Sequence, residues 1–111
     1  MPVFITQGRF TQDAVKGMLA KPEDRAEAVS ELFAKAGGKL LGYYMTFGEY
    51  DFLAISEGPM EEATTPMIVA AASGGVTHLK TTLALTSSEM KQAFEKAGRL
   101  GITFKGAGST G

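Results

Sequence analysis

Apolar and polar positions along the chain alternate between two periods, and the switches between them divide the chain into elements. "PVFITQGRF" carries β-branched and aromatic residues in the manner of a strand, from Val3 to about Gly8. "TQDAVKGMLAK" then follows helical spacing, with Thr11 placed as an N-cap and Asp13 near the positive end. Pro22 cannot donate a backbone hydrogen bond, so it ends that helix or opens the next. In "PEDRAEAVSELFAKAGG", Ala26, Val29, Leu32, Phe33 and Ala36 recur at helical spacing, acids crowd the first turn, and Gly37-Gly38 closes the segment.

The segments "KLLGYYMTF" and "YDFLAIS" read as two strands joined at Gly48-Glu49, where a two-residue type II′ turn would use Gly for its positive φ. That register sets Phe47 opposite Tyr50, Thr46 opposite Asp51, Met45 opposite Phe52 and Tyr44 opposite Leu53; a one-residue slip would exchange the faces. A helix ends at Gly74-Gly75, with two readings of Pro66: Thr65 caps a helix starting there, or a longer helix from Pro59 is kinked. "VTHLKTTLALT" is the fourth strand. "TSSEMKQAFEKAG" is a helix in which Thr86 and Glu89 have the spacing of a capping box, with Phe94 and Ala97 on a small apolar face. Lys105–Gly111, "KGAGSTG", reads as a flexible tail, leaving one domain over residues 1–104.

The order predicts an α+β fold, a ferredoxin-like βαββαβ antiparallel sheet with helices on one face plus a C-terminal helix. Such a sheet should alternate apolar and polar residues if its second face is wet. Here one face of the hairpin carries Leu41, Tyr43, Met45, Phe47, Tyr50, Phe52 and Ala54, and the other carries Leu40, Gly42, Tyr44, Leu53 and Ile55. Both are apolar, and each large side chain left in water forgoes about 1.5–3 kcal/mol of burial. A second copy packed sheet to sheet is the simplest cover, so a homodimer or higher oligomer is expected.

Composition narrows the chemistry. The chain has no cysteine, which removes disulfides, thiolate catalysis and cysteine-bound metals. A net charge of −1 and a pI near 5.8 argue against a nucleic-acid partner. No apolar stretch approaches the roughly 18 residues of a membrane span, so no membrane partner is expected. The first ten residues also lack the pattern of a signal peptide, and a cytoplasmic location is expected.

"GGKLLGYYMTFGEYDFLAISEGP", residues 37–59, followed by "GGVTHLKTTLALTSSEM", residues 74–90, resembles the GYD-domain family. The Gly-Tyr-Asp signature is matched by Gly48, Tyr50 and Asp51, with Glu49 between the first two. "FITQGRFTQDAV" and "PEDRAEAV" resemble the family's opening strand and first helix, so the similarity runs over about residues 3 to 97. The resemblance implies a ferredoxin-like domain related in shape to the dimeric α/β-barrel proteins, and it supplies no activity and no catalytic residues.

Candidate site residues have two readings each. Asp51 is either a turn-supporting hydrogen-bond acceptor or, with Tyr50 or Tyr44 as a donor, a general base or ligand acceptor. His78, the single histidine, is either a hydrogen-bonded interface residue or a proton shuttle; alternation places it with Val76, Lys80 and Thr82, opposite Leu79 and Leu83. Asp51 and His78 are the catalytic candidates, and Tyr44, Thr46, Asp51, His78 and Lys80 the expected lining of a ligand cavity. Asp51, Glu57, Glu61 and Glu62 form no recognisable metal set, and "GAGSTG" matches a dinucleotide fingerprint without the helix that fingerprint needs, so no metal and no cofactor are expected. Three functions fit: a homo-oligomeric module binding a small organic ligand, a cofactor-independent oxygenase or isomerase, and an assembly or regulatory subunit.

Overall fold

Alternation along the strands decides which side chains meet the helices. The computed structural model describes residues 2–101 and 103–108, so residues 109–111 of the expected tail lie outside the described residues. The elements are β1 (Val3–Phe10), α1 (Gln12–Ala20), α2 (Ala26–Lys35), β2 (Lys39–Met45), β3 (Phe52–Glu57), α3 (Met60–Ala72), β4 (Val76–Ala84) and α4 (Ser87–Leu100). The strands form one antiparallel sheet in the order β2-β3-β1-β4, which sets β3 between β1 and β2 as a split βαβ arrangement requires.

On one face Phe4 and Thr6 of β1 and Phe52, Ala54 and Ser56 of β3 are buried, and Phe33 of α2 and Ala63 and Pro66 of α3 complete the core. The buried Thr6 hydroxyl is satisfied by Thr81 Oγ1 at 3.0 Å. Gly8 continues the same row of β1: a Cβ there would stand 2.7 Å from Phe52 Cζ and 2.8 Å from Leu79 Cδ2. The opposite face carries Val3, Ile5, Leu53 and Ile55, all only partly shielded, and Tyr44, which is 61% exposed.

Local sequence signals set the helix ends. Thr11 accepts from Ala14 N at 3.2 Å, and Asp24 Oδ1 accepts from Ala26 N at 2.9 Å, which starts α2 four residues after Pro22. Gly37 closes α2 at φ 91°, in the left-handed region that favours glycine. At Pro66 the second reading is nearer the structure: α3 runs through it from Met60, and the proline is buried. Its ring offers no N–H to the carbonyl of Glu62, while the Thr64 and Thr65 hydroxyls donate to Glu61 O at 3.1 and 2.9 Å.

Two hairpin expectations are corrected. The register holds at Met45–Phe52 and Tyr44–Leu53, but it shifts between Leu40 and Gly42 so that Leu40 pairs with Ser56. This bulge leaves Leu41 unpaired and moves Leu40 onto the helix-covered face. The turn is wider than two residues: Thr46 N donates to Asp51 O at 2.9 Å, leaving residues 47–50 as the loop, and Phe47 is fully exposed. Gly48 has no positive φ, so a type II′ turn does not form.

The helix α4 stands apart. None of its residues is buried, and Phe94 is 73% exposed. The radius of gyration is 18.5 Å, against about 13 Å for a compact chain of this length. Its start is nevertheless well built: Thr86 Oγ1 accepts from Glu89 N at 3.0 Å, and Glu89 Oε1 accepts from Thr86 N at 2.9 Å. Those bonds from Thr86 hold the Glu89 carboxyl below its ordinary range.

Replacing Gly8 by Ala forces Phe52 and Leu79 apart and should cost on the order of 1–3 kcal/mol, read from urea unfolding. Because the folded Glu89 pKa is depressed, its contribution is present above the ordinary carboxyl range and is lost as pH falls through the lowered value. Helical circular dichroism should therefore fall on acidification by more in the wild type than in Glu89→Gln.

Candidate functional site

The loop between β2 and β3 and the middle of β4 shape a shallow recess on the open side of the sheet. It encloses about 300 Å³ and is lined by Gln7, Thr46, Phe47, Gly48, Glu49, Tyr50 and Lys80. Gln7 and Lys80 are direct cross-strand partners, which sets the lysine beside the loop. The loop is fixed by Arg9, whose Nε donates to Glu49 O at 2.8 Å, and by Thr46, whose hydroxyl donates to Tyr50 O at 2.7 Å.

Of the five residues expected to line a ligand cavity, Thr46 and Lys80 meet at this recess. Tyr44 lies exposed on the open face. Asp51 serves the backbone: its Oδ2 accepts from Phe10 N at 2.8 Å and its own N–H donates to Gly8 O at 2.8 Å. The signature acid therefore pins the end of β1 to the hairpin. Gly48 has open space where a Cβ would be, so no steric demand within the chain explains a glycine there.

His78 sits at a bulge. β1 and β4 change register between Gln7 and Arg9, which places His78 and Leu79 across from Gly8 alone. His78 takes φ 54°, is exposed, and has Nδ1 3.2 Å from Thr77 Oγ1. This extra residue corrects the expected alternation: Val76 pairs with Phe10, and both line the helix-side cavity described next, whereas Lys80 faces the recess with Gln7.

That larger cavity, about 410 Å³, opens between α1, α2, α3 and the end of the sheet. Phe10, Leu32, Val29 and Val76 supply apolar walls, Tyr43 enters from β2, and Lys21, Glu23 and Arg25 stand in the exposed α1–α2 linker at its rim. Burial pushes the Tyr43 hydroxyl above its ordinary pKa, while the charge of Arg25 pulls in the other direction. The phenol is a protonated donor at neutral pH. Glu23 engages Arg25 through Nη1 at 2.9 Å, and both groups are about half exposed.

Sequence reasoning missed this cavity because its walls come from four separate elements, each of which reads locally as ordinary helix or strand packing. The available signal was Tyr43, a hydroxyl on the face also carrying Phe52 and Ala54. Among the described residues, no three His, Asp or Glu side chains gather as a metal site would require, and no helix is long and apolar enough to cross a membrane.

An antiparallel four-stranded sheet with four helices defines a small α+β domain. The chain belongs to the GYD domain family, whose profile matches residues 4–94. Among solved structures, TTHA0845 from Thermus thermophilus is similar at a TM-score of 0.50 and 21% identity, over 78% of this chain and 96% of that one. FFRP-DM1 aligns at a TM-score of 0.44 and 15% identity, over 77% of this chain and 100% of that one. At 21% identity the likeness to TTHA0845 concerns the fold alone. A comparison with curated proteins gives no match.

Replacing Asp51 by Ala strands the Phe10 N–H and should destabilise by about 1–3 kcal/mol. Asp51→Asn, which keeps an acceptor oxygen, should recover part of that loss in chemical denaturation.

Proposed function

We propose that this GYD-domain protein is a homo-oligomeric small-molecule-binding module, with the helix-side cavity as its binding site and the open sheet face as the contact between copies. The cavity carries this reading: largely apolar walls enclose about 410 Å³ around one partly buried hydroxyl. Ligand clefts characteristically pair apolar walls with a few placed polar groups and span about 300–1,000 Å³. The open face supports the oligomeric part, since Val3, Ile5, Leu53 and Ile55 form an apolar surface that is only partly shielded and, among the described residues, lies on the side of the sheet away from the helix-covered core. Two such sheets packed together would make the dimeric α/β barrel implied by the resemblance.

A second reading, as an assembly subunit, is favoured by the position of α4, whose Met90, Phe94 and Leu100 are all exposed. In that case the recess at Thr46 and Lys80 is closed by a neighbouring copy and belongs to the contact.

Native mass spectrometry together with a thermal-shift screen of small organic molecules tests both parts. The expected outcome is a dimer or a multiple of it, dissociated by Ile55→Lys, and ligand-induced stabilisation that disappears when Ala70→Trp fills the cavity. A monomeric wild type would remove the oligomeric part, and shifts unchanged by Ala70→Trp would remove the cavity.

A further inference from the structure

The helix-side cavity is chemically lopsided. Its inner walls are apolar, whereas every formal charge in its lining belongs to the α1–α2 linker: Lys21 and Arg25 against Glu23, a net of one positive charge. Tyr43 lies on the sheet side of the same cavity that Arg25 lines from the linker, and the guanidinium charge acts on its hydroxyl against the larger effect of burial. The Tyr43 hydroxyl makes no hydrogen bond to another described residue, and Glu23 occupies only Nη1 of a group with five N–H donors. A protonated phenol and an incompletely paired guanidinium thus line the same apolar chamber.

We infer that the cavity takes a small amphiphilic monoanion, a carboxylate on an aromatic or branched aliphatic body, with the carboxylate between Arg25 and the Tyr43 hydroxyl and the body against Phe10, Val29, Leu32 and Val76. Guanidinium and carboxylate match in shape and form charge-assisted hydrogen bonds, which are stronger than neutral ones. A single net positive charge suits a monoanion, and Glu23, 2.9 Å from Arg25, would repel a second negative charge brought to the same place. The walls favour an amphiphile over a purely ionic ligand, since an inorganic anion gains nothing from their apolar surface. The size is at the lower end of the cleft range, which fits a ligand of one ring or a short branched chain.

This inference rests on the binding function proposed above, and the experiment separates the two. Calorimetric titration compares 3-phenylpropanoate, its neutral isostere 3-phenylpropanamide and inorganic phosphate on the wild type, Arg25→Gln and Tyr43→Phe. Arg25 is exposed and makes no side-chain cap to α2, and Tyr43→Phe removes one oxygen, so both variants should fold, as circular dichroism will verify. Expected are carboxylate binding at least tenfold tighter than amide binding, a tenfold or greater loss for the carboxylate alone in Arg25→Gln, a several-fold loss in Tyr43→Phe, and no phosphate binding. Equal affinity for carboxylate and amide, or carboxylate affinity indifferent to Arg25→Gln, overturns the anionic specificity and leaves a neutral binding site. Phosphate binding as tight as carboxylate binding overturns the amphiphilic class. Failure of both organic probes at millimolar concentration overturns the inference, and with it the cavity as a site for compounds of this size.

Discussion

The pleat of β1 and β3 sends successive side chains to opposite sides, and this chain places large apolar residues on both sides while supplying helices to one. Phe4, Phe52 and Ala54 are sealed under α2 and α3; Val3, Ile5, Leu53 and Ile55, their immediate neighbours in sequence, are not. The two rows cannot be exchanged or merged, because side-chain direction is fixed by strand geometry. The division determines the rest of the molecule. It leaves a chamber between the sheet and α1, α2 and α3 on one side, and an apolar surface that is only partly shielded on the other.

Asp51 shows how a conspicuous acid can serve architecture. Without its carboxylate, the Phe10 N–H at the end of β1 would have no partner in a partly buried position. With it, the β2–β3 loop and the end of β1 become one unit, tied further by Asp51 N–H to Gly8 O and Arg9 Nε to Glu49 O. Phe10 is thereby held in tilted contact with Phe52, their centroids 5.2 Å apart. Phe10 is also a wall of the helix-side cavity. The signature therefore reaches that chamber indirectly, by fixing one of its walls.

Element order, the Thr11 cap, the Thr86–Glu89 capping box and the central hairpin pairs were legible in the sequence because each depends on residues close together in the chain or on a simple period. The bulges at Leu41 and His78 were not. Each inserts one residue without breaking the apolar pattern, so counting along the strand gave the wrong face for Leu40 and Val76. The φ of 54° at His78 has no local signal beyond histidine's modest tolerance of that region. The helix-side cavity was illegible for a different reason. Arg25 looks like a solvated helix-start charge and Tyr43 like strand packing, and only the tertiary fold brings them to one chamber.

The C-terminal helix bears on the proposed association. Isolated helices shorter than about 12–15 residues are marginal in water, and α4 has 14 residues with no buried side chain to hold it. Its capping box satisfies two otherwise orphan N–H groups at the helix start, and the Lys91–Glu95 pair, at 3.7 Å and largely exposed, adds little. Met90 and Phe94 are one turn apart and Ala97 continues their row, so the helix presents an apolar stripe to solvent. A chain that carries both a partly shielded apolar sheet face and an exposed amphipathic helix has two surfaces of the kind that burial stabilises.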